Sequence, residues 1–167
     1  MVIVVDTREH PRAIRNILAE FERKEVTVVR RALNFADYWN PDNPNVIIDR
    51  KRNLNEVAAN VVQQRKRFVR EIERCNRAGC RLIVLVEHGN RIRDLKDVIG
   101  WKNPRLKESP YAVSGERLYR IMKAMELDFE HNPLGARLID AVMMSIGDLY
   151  KNGMKPLPAG YLGRDDM

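Results

Sequence analysis

The chain has little of what builds soft-metal or redox sites. It holds two cysteines and three histidines in 167 residues. Cys75 and Cys80 cannot form a disulfide framework or close a four-ligand zinc site by themselves. His10, His88 and His131 fall at no paired spacing and read as non-ligands. Long apolar runs are missing too. The longest, Leu82 to Val86, is strand-sized, far short of the roughly 20 residues that span a bilayer. Met1 to Asp6 offers neither the basic start nor the apolar length of a signal peptide. These absences point to a reducing, cytoplasmic setting with no membrane segment. Internal repeats and low-complexity stretches are also absent.

What is present is a globular composition, 44% hydrophobic and 32% charged. The length predicts one domain, over residues 1–150. A tail over 151–167, with two prolines and three glycines, is expected to be flexible. The net charge of +7 is unevenly placed. Residues 1–48 carry seven basic and seven acidic groups, and residues 49–81 carry ten and four, a net +6 in one fifth of the chain. A stripe this concentrated suits a polyanion, most often nucleic acid; the other reading is a solvated helix face.

Periodicity orders the elements. Val2 to Val5 is a β-branched run, followed by Pro11 and a helical stripe at Ile14, Ile17, Leu18 and Phe21. Val26 to Arg30 and Val46 to Ile48 read as strands, with turn signals from Asn34 to Pro44 between them. Asn53 caps a stripe at Leu54, Val57, Ala58, Val61 and Val62. A second helix carries Phe68, Val69, Ile72 and Cys75 and stops at Gly79. Leu82 to Val86 is a strand, Leu95 to Ile99 a short helix, and 101–113 a long loop. Ser114 then opens a helix through Met125, Leu127 to Glu130 is a candidate edge strand, and 134–150 a last helix. Strands interleaved with helices predict an α/β fold, a mixed central sheet flanked by helices.

Three acids lie at strand ends or just past them: Asp6, Asp37 and Asp49. Strand alternation puts Asp49 and Lys51 on one face and Arg50 on the other. Carboxylates beside a lysine suit divalent-metal hydrolysis. A hard cation such as Mg²⁺ takes carboxylate oxygens and water, and a lysine stabilises the charge that gathers on a phosphodiester.

The strings Val5-Asp6-Thr7-Arg8-Glu9, Ala36-Asp37-Tyr38, Ile48-Asp49-Arg50-Lys51 and Leu85-Val86-Glu87-His88-Gly89 carry a more specific signal. In order and spacing they resemble the XPF-type (ERCC4-domain) nuclease family over residues 2–89. The family signature is V-D-x-R-E, G-D-Y, E-R-K-x-x-x-D, a basic helix with a Phe, and a strand ending E-G. Helix-hairpin-helix and helicase motifs, which larger relatives carry, are not seen, so the chain looks like a small, phage-like, single-domain member. Three positions depart from the pattern. Ala36 replaces Gly, Asp49 replaces Glu, and Asn55 replaces the final Asp, removing a charge. These changes leave open a slow or metal-selective nuclease, or a non-catalytic DNA-binding relative.

The resemblance implies a PD-(D/E)XK, restriction-endonuclease-like fold and a metal-dependent DNA endonuclease. Mg²⁺ or Mn²⁺ is expected at Asp37 and Asp49, with the Arg50 carbonyl as a further ligand and Lys51 as the catalytic lysine. Asp6 is either a third ligand or a turn cap. Glu9 either reaches a second metal or favours a helix start. Arg8 and Arg50 either contact phosphate or tie the acids together. Arg65, Lys66, Arg67 and Arg70 are candidates for the DNA backbone. Phe68 reads as core, and Tyr38 either orients the site or packs. Branched DNA (flaps, forks, Holliday junctions) is the implied substrate, in repair or recombination. A homodimer is implied as well, in a cytoplasmic or nucleoid-associated, phage or bacterial setting.

Overall fold

The computed structural model describes residues 1–87, 92, 95–125 and 128–131. The helix expected over 134–150, the tail beyond it, and the side chains of His88 and His131 lie outside the described residues.

Short apolar segments build a six-stranded sheet. The strands are β1 (Val2–Val5), β2 (Thr27–Arg30), β3 (Tyr38–Trp39), β4 (Val46–Lys51), β5 (Arg81–Val86) and β6 (Asp128–His131), in spatial order β2-β1-β3-β4-β5-β6. β1 and β2 are parallel, and so are β4, β5 and β6; β3 runs antiparallel to both β1 and β4. The sheet is mixed, as the interleaved pattern predicts. β4 and β5 are buried at every position because helices cover both faces there.

On one face, α1 (Arg15–Arg23) lays Ile17 and Phe21 over Ile3, Val5, Tyr38, Ile48 and Leu85. On the other, four short helical pieces share the work. Leu54 and Val57 come from α2 (Leu54–Ala58), and Val61 from a π turn over Ala59–Gln63. Phe68 and Cys75 come from α3 (Arg65–Arg77), and Leu118 and Met122 from α4 (Gly115–Ala124). They pack on Ile47, Leu82, Val84 and Val86. Burying each large apolar side chain is worth about 1.5–3 kcal/mol, and this packing, more than propensity, holds helices of five to thirteen residues.

The structure departs from the sequence pattern at several points. β3 lies inside the stretch that reads as a turn. Two residues are too few to show alternation, and the strand is fixed instead by ladder bonds around it, Asp6 N–H to the Asp37 carbonyl (2.8 Å) and Asp37 N–H to the Ile48 carbonyl (2.9 Å). α1 starts at Arg15, and residues 11–14 are turns. The π turn runs α2 toward α3, so two stripes read as separate helices are nearly continuous. The short helix near Leu95 is a 3₁₀ turn, Lys96–Gly100, and the long loop holds another, Pro104–Lys107. α4 rests directly on the first of these. A Cβ on Gly115 would lie 2.3 Å from the Val98 carbonyl oxygen, so only glycine allows that approach. The expected edge strand is β6.

Candidate active site

The topology gathers the acids. β1, β4 and β5 end on the same side of the sheet, and β3, running the other way, begins there. Asp6 follows β1, Asp37 precedes β3, Asp49 and Lys51 close β4, and Glu87 follows β5. Strand alternation then sorts them. Asp49 and Lys51 share the face of Ile47, toward α2 and α3, while Arg50 shares the face of Ile48, toward α1.

Lys51 Nζ donates to Asp49 Oδ1 at 2.8 Å and lies 2.7 Å from Oδ2. Its ammonium also sits 5.8 Å from the centre of the buried Phe68 ring, a cation–π contact that fixes the far end of the side chain. Asp37 Oδ2 accepts the Arg50 N–H at 2.8 Å, which ties the β3 acid to the strand carrying the other two groups. Burial, then the charges of Asp49 and Glu9, push the Asp37 carboxyl up to about 8. Burial raises Asp49 as well, against the pull of Lys51. Burial works against the Lys51 charge, but Asp49 outweighs it and raises its pKa. Two buried carboxylates side by side do not both ionise without added positive charge.

That imbalance is the test of fit for a divalent cation. Asp49 is buried, and beside the Lys51 ammonium it meets the Asp37 carboxyl, so two acids share one cation. No group of three or more His, Cys, Asp or Glu side chains converges among the described residues. Two carboxylates with a strand-end carbonyl suit Mg²⁺, which keeps several waters and takes one or two carboxylates from the protein. The residues present fit the ion.

Asp6 and Arg8 form a separate unit. Asp6 is fully buried; its Oδ1 accepts the Arg8 N–H (2.6 Å) and Nε (2.8 Å), and its Oδ2 accepts Arg8 Nη2 (2.9 Å) and the Leu33 N–H (2.7 Å). Burial opposes this charge, yet the Arg8 bonds hold the carboxyl below its ordinary value. Of the two roles the sequence leaves open, the geometry matches the turn brace, since both oxygens are engaged. Arg8 also reaches the Leu33 and Ala36 carbonyls at 3.2 and 3.4 Å, with 65% of its side chain exposed.

Arg50 is turned away from Asp37 and Asp49. On the α1 face it bridges Glu9 (3.1 Å) and Glu87 (2.6 Å) and reaches the Ala13 carbonyl (3.4 Å). The Tyr38 hydroxyl donates to the same Glu9 oxygen at 3.0 Å. Of its open roles, Arg50 therefore matches the one that ties acids together. Glu9 is one of those acids and lies ahead of α1, which starts at Arg15, so it opens no helix. Tyr38 packs, and its hydroxyl orients Glu9. Arg65, Lys66, Arg67 and Arg70 are exposed on α3. Arg67 leans onto Asn60 of the π turn at 3.4 Å, and Arg70 folds back to the Lys66 carbonyl at 3.1 Å.

One residue escapes the sequence pattern, and a second shows there only as a departure from the family's glycine. Glu71, one turn past Arg67 on α3, accepts the Ala36 N–H at 3.2 Å, and its charge acts on Asp49 and Arg8. Ala36 itself is left-handed, with φ at 57°. A signal for the second was present, because the family pattern has Gly at this place and glycine adopts such angles freely. Glu71 carries no such signal; it looks like one more charge on a solvated helix.

A mixed sheet with two acids and a lysine gathered at its strand ends, between helices on both faces, defines a restriction-endonuclease-like nuclease fold. The ERCC4 domain family model matches residues 5–129, and the chain belongs to that family of DNA nuclease domains. Two solved structures share the fold. XPF from Aeropyrum pernix matches with a TM-score of 0.57 and 17% identity, over 90% of this chain and 69% of that one. The same protein in complex with DNA matches with a TM-score of 0.54 and 16% identity, over 93% and 68%. No curated protein matches the chain.

Proposed function

We propose that the chain is a metal-dependent endodeoxyribonuclease acting on branched DNA such as flaps, forks or Holliday junctions. The observation that carries this reading is the pairing of Asp37 and Asp49, whose buried charges call for a cation, with Lys51 held 2.8 Å from Asp49. Asp37, Asp49 and the Arg50 carbonyl would hold Mg²⁺ or Mn²⁺. When bound, the ion supplies an acidified water and neutralises charge on the scissile phosphate. Lys51 orients the attacking group and meets the charge that develops on the phosphoryl oxygens. Arg65, Lys66, Arg67 and Arg70 lie along the helix beside this site and would bind the DNA backbone. Arg8, two-thirds exposed beside Asp37, adds positive potential at its edge. The DNA complex of the Aeropyrum pernix protein supports DNA as the partner. No helix of the described residues is long and apolar enough to cross a membrane. Through the family resemblance we propose a cytoplasmic or nucleoid-associated setting. Through the family resemblance we also propose a homodimer, which sedimentation velocity tests.

Cleavage of forked, flapped and blunt DNA, each with Mn²⁺ and with chelator, tests the reading. Metal-dependent cuts near the branch are expected, and they should vanish in Asp49→Asn. A second reading, a non-catalytic DNA-binding module, is favoured by Asn55 standing where the family has Asp. It predicts binding to the same substrates and no cuts with either metal. Changing Arg65, Lys66 and Arg70 together to Ala should flatten the slope of log affinity against log salt by roughly 2–3 for duplex, at about 0.9 per lost phosphate contact. An unchanged slope would make that helix a solvated face only.

A further inference from the structure

A polar groove lies between α2 with its π turn and the loop over residues 103–112. Asn55 and Gln63 line it from the helical side, Arg105 and Tyr111 from the loop, and it is a shallow, open depression, not an enclosed cavity. The Tyr111 ring is 70% exposed, the most exposed large hydrophobic side chain among the described residues. The loop that presents it is braced. Buried Asn103 donates to the Val113 carbonyl at 2.9 Å and accepts the Arg105 N–H at 3.0 Å. Ser109 Oγ accepts the Tyr111 N–H at 3.3 Å, and the Ser109 N–H donates to the Arg105 carbonyl at 3.0 Å. An exposed aromatic ring on a braced loop offers a face on which a base can stack.

The groove adjoins both parts of the site. Asn55 is four residues past Lys51, so the chain between them spans at most about 14 Å. That is roughly four nucleotide spacings at 3.4 Å along one strand. Gln63, at the far end, is two residues before Arg65 and the basic helix. Asn55 also stands where the family pattern has Asp. A carboxylate there would repel a DNA strand, whereas the amide offers a donor and an acceptor to a base edge.

We propose that this groove is a subsite for an unpaired nucleotide of the DNA strand. Its base stacks on Tyr111, its edge meets Asn55 and Gln63, and Arg105 takes its phosphate. The inference deepens the nuclease reading and rests on it for the identity of the ligand. A base inside a duplex has no free face to offer Tyr111, so the groove selects single-stranded arms and not blunt duplex. That is the preference an enzyme for branched DNA needs.

Fluorescence anisotropy of the full chain, with labelled oligo-dT, a forked oligonucleotide and a blunt duplex, tests the subsite in chelating buffer, where cleavage plays no part. Tyr111→Ala should weaken oligo-dT and fork binding roughly 5- to 150-fold, the loss of one stacked base, and leave duplex affinity unchanged. Tyr111→Phe should restore binding, and Asn55→Asp should weaken it selectively on oligo-dT and the fork. Equal losses on all three DNAs, or none, would overturn the subsite. The two readings fail separately. A chain that cuts DNA with Mn²⁺ while Tyr111→Ala binds like wild type keeps the nuclease and loses the groove. A chain that binds oligo-dT through Tyr111 and never cuts does the reverse. Binding of oligo-dT lost in Asn55→Asp but kept in Tyr111→Ala would overturn the stacking of a base on Tyr111 and with it the proposed subsite.

Discussion

The two faces of β4 carry the same charges in opposite arrangements. Toward α1, two carboxylates share one cation: Glu9 and Glu87 both grip Arg50, and Tyr38 adds a hydroxyl. Toward α3, two carboxylates again face one cation, Asp37 and Asp49 with Lys51. The first group is a brace. Its planar cation reaches both acids at once, and a carbonyl besides. The second is unfinished. Its cation is a point charge on one acid, 2.7 Å from Asp49 Oδ2, and Asp37 is pushed up to about 8. A single residue step along one strand separates a structural ion cluster from a chemical one, because pleating sends neighbours to opposite faces.

The comparison breaks first on stability. Arg50→Met leaves Glu9 and Glu87 without their shared cation in a mostly buried place, where breaking such a pair costs about 3–5 kcal/mol. For a domain near 150–250 residues each kcal/mol is roughly 2–4 °C, so a fall in Tm of about 6–20 °C is expected by calorimetry. A Tm near wild type would mean that the cluster braces nothing. Lys51→Met should behave differently. Asp49 can take up a proton when its partner is lost, so the fold survives, while turnover falls by at least about 100-fold with DNA affinity kept. Near wild-type cleavage by Lys51→Met would remove it from the chemistry.

Those expectations show where the sequence was legible. The Asp49-Arg50-Lys51 order, read with strand alternation, already separates the faces; what it does not reveal is what meets Arg50 on the far side. Glu9 is 41 positions away along the chain and Glu87 37, and only the sheet order brings them together. The same holds for Glu71, which reaches Ala36 across 35 positions. Apolar stripes located the strands and most helices, since burial imposes their period. β3 left no trace because two residues have no period, and its place depends on the strands on either side. Asp6 was legible as an acid at a strand end but not as a saturated one, since the Leu33 N–H that completes it comes from a loop.

A third difference between the faces is in their response to pH. Asp37 has its folded pKa raised from the ordinary carboxylate range to about 8. Stability from that group is therefore full below about pH 4 and is lost as pH rises toward and through 8. Metal-free protein should lose Tm between about pH 4 and pH 8, the span between the two pKa values, and Asp37→Asn, neutral and of the same shape, should lose less. Added Mn²⁺ should cancel the loss in the wild type and not in Asp37→Asn. Parallel Tm curves for the two proteins would show that Asp37 titrates normally and that the second cluster is as closed as the first.

The smallest expected effect sharpens the link between the site and the turn that carries it. Ala36 holds a left-handed φ of 57°, a conformation that costs an L-residue with a Cβ about 1–2 kcal/mol and glycine far less. The unfolded chain of a glycine variant is more flexible, which returns part of that gain. Ala36→Gly should thus raise Tm by only about 1–4 °C. The bond from Ala36 N–H to Glu71 and the contact of its carbonyl with Arg8 are both backbone contacts, so they survive the change. Cleavage and metal dependence should then stay as they are. In Glu71→Ala, by contrast, the turn loses its acceptor, and a fall in Mn²⁺ affinity by calorimetric titration is expected, with Glu71→Gln restoring it. If Glu71→Gln and Glu71→Ala lose affinity equally, then the charge of Glu71 and not its grip on the turn is what Asp37 and Asp49 feel.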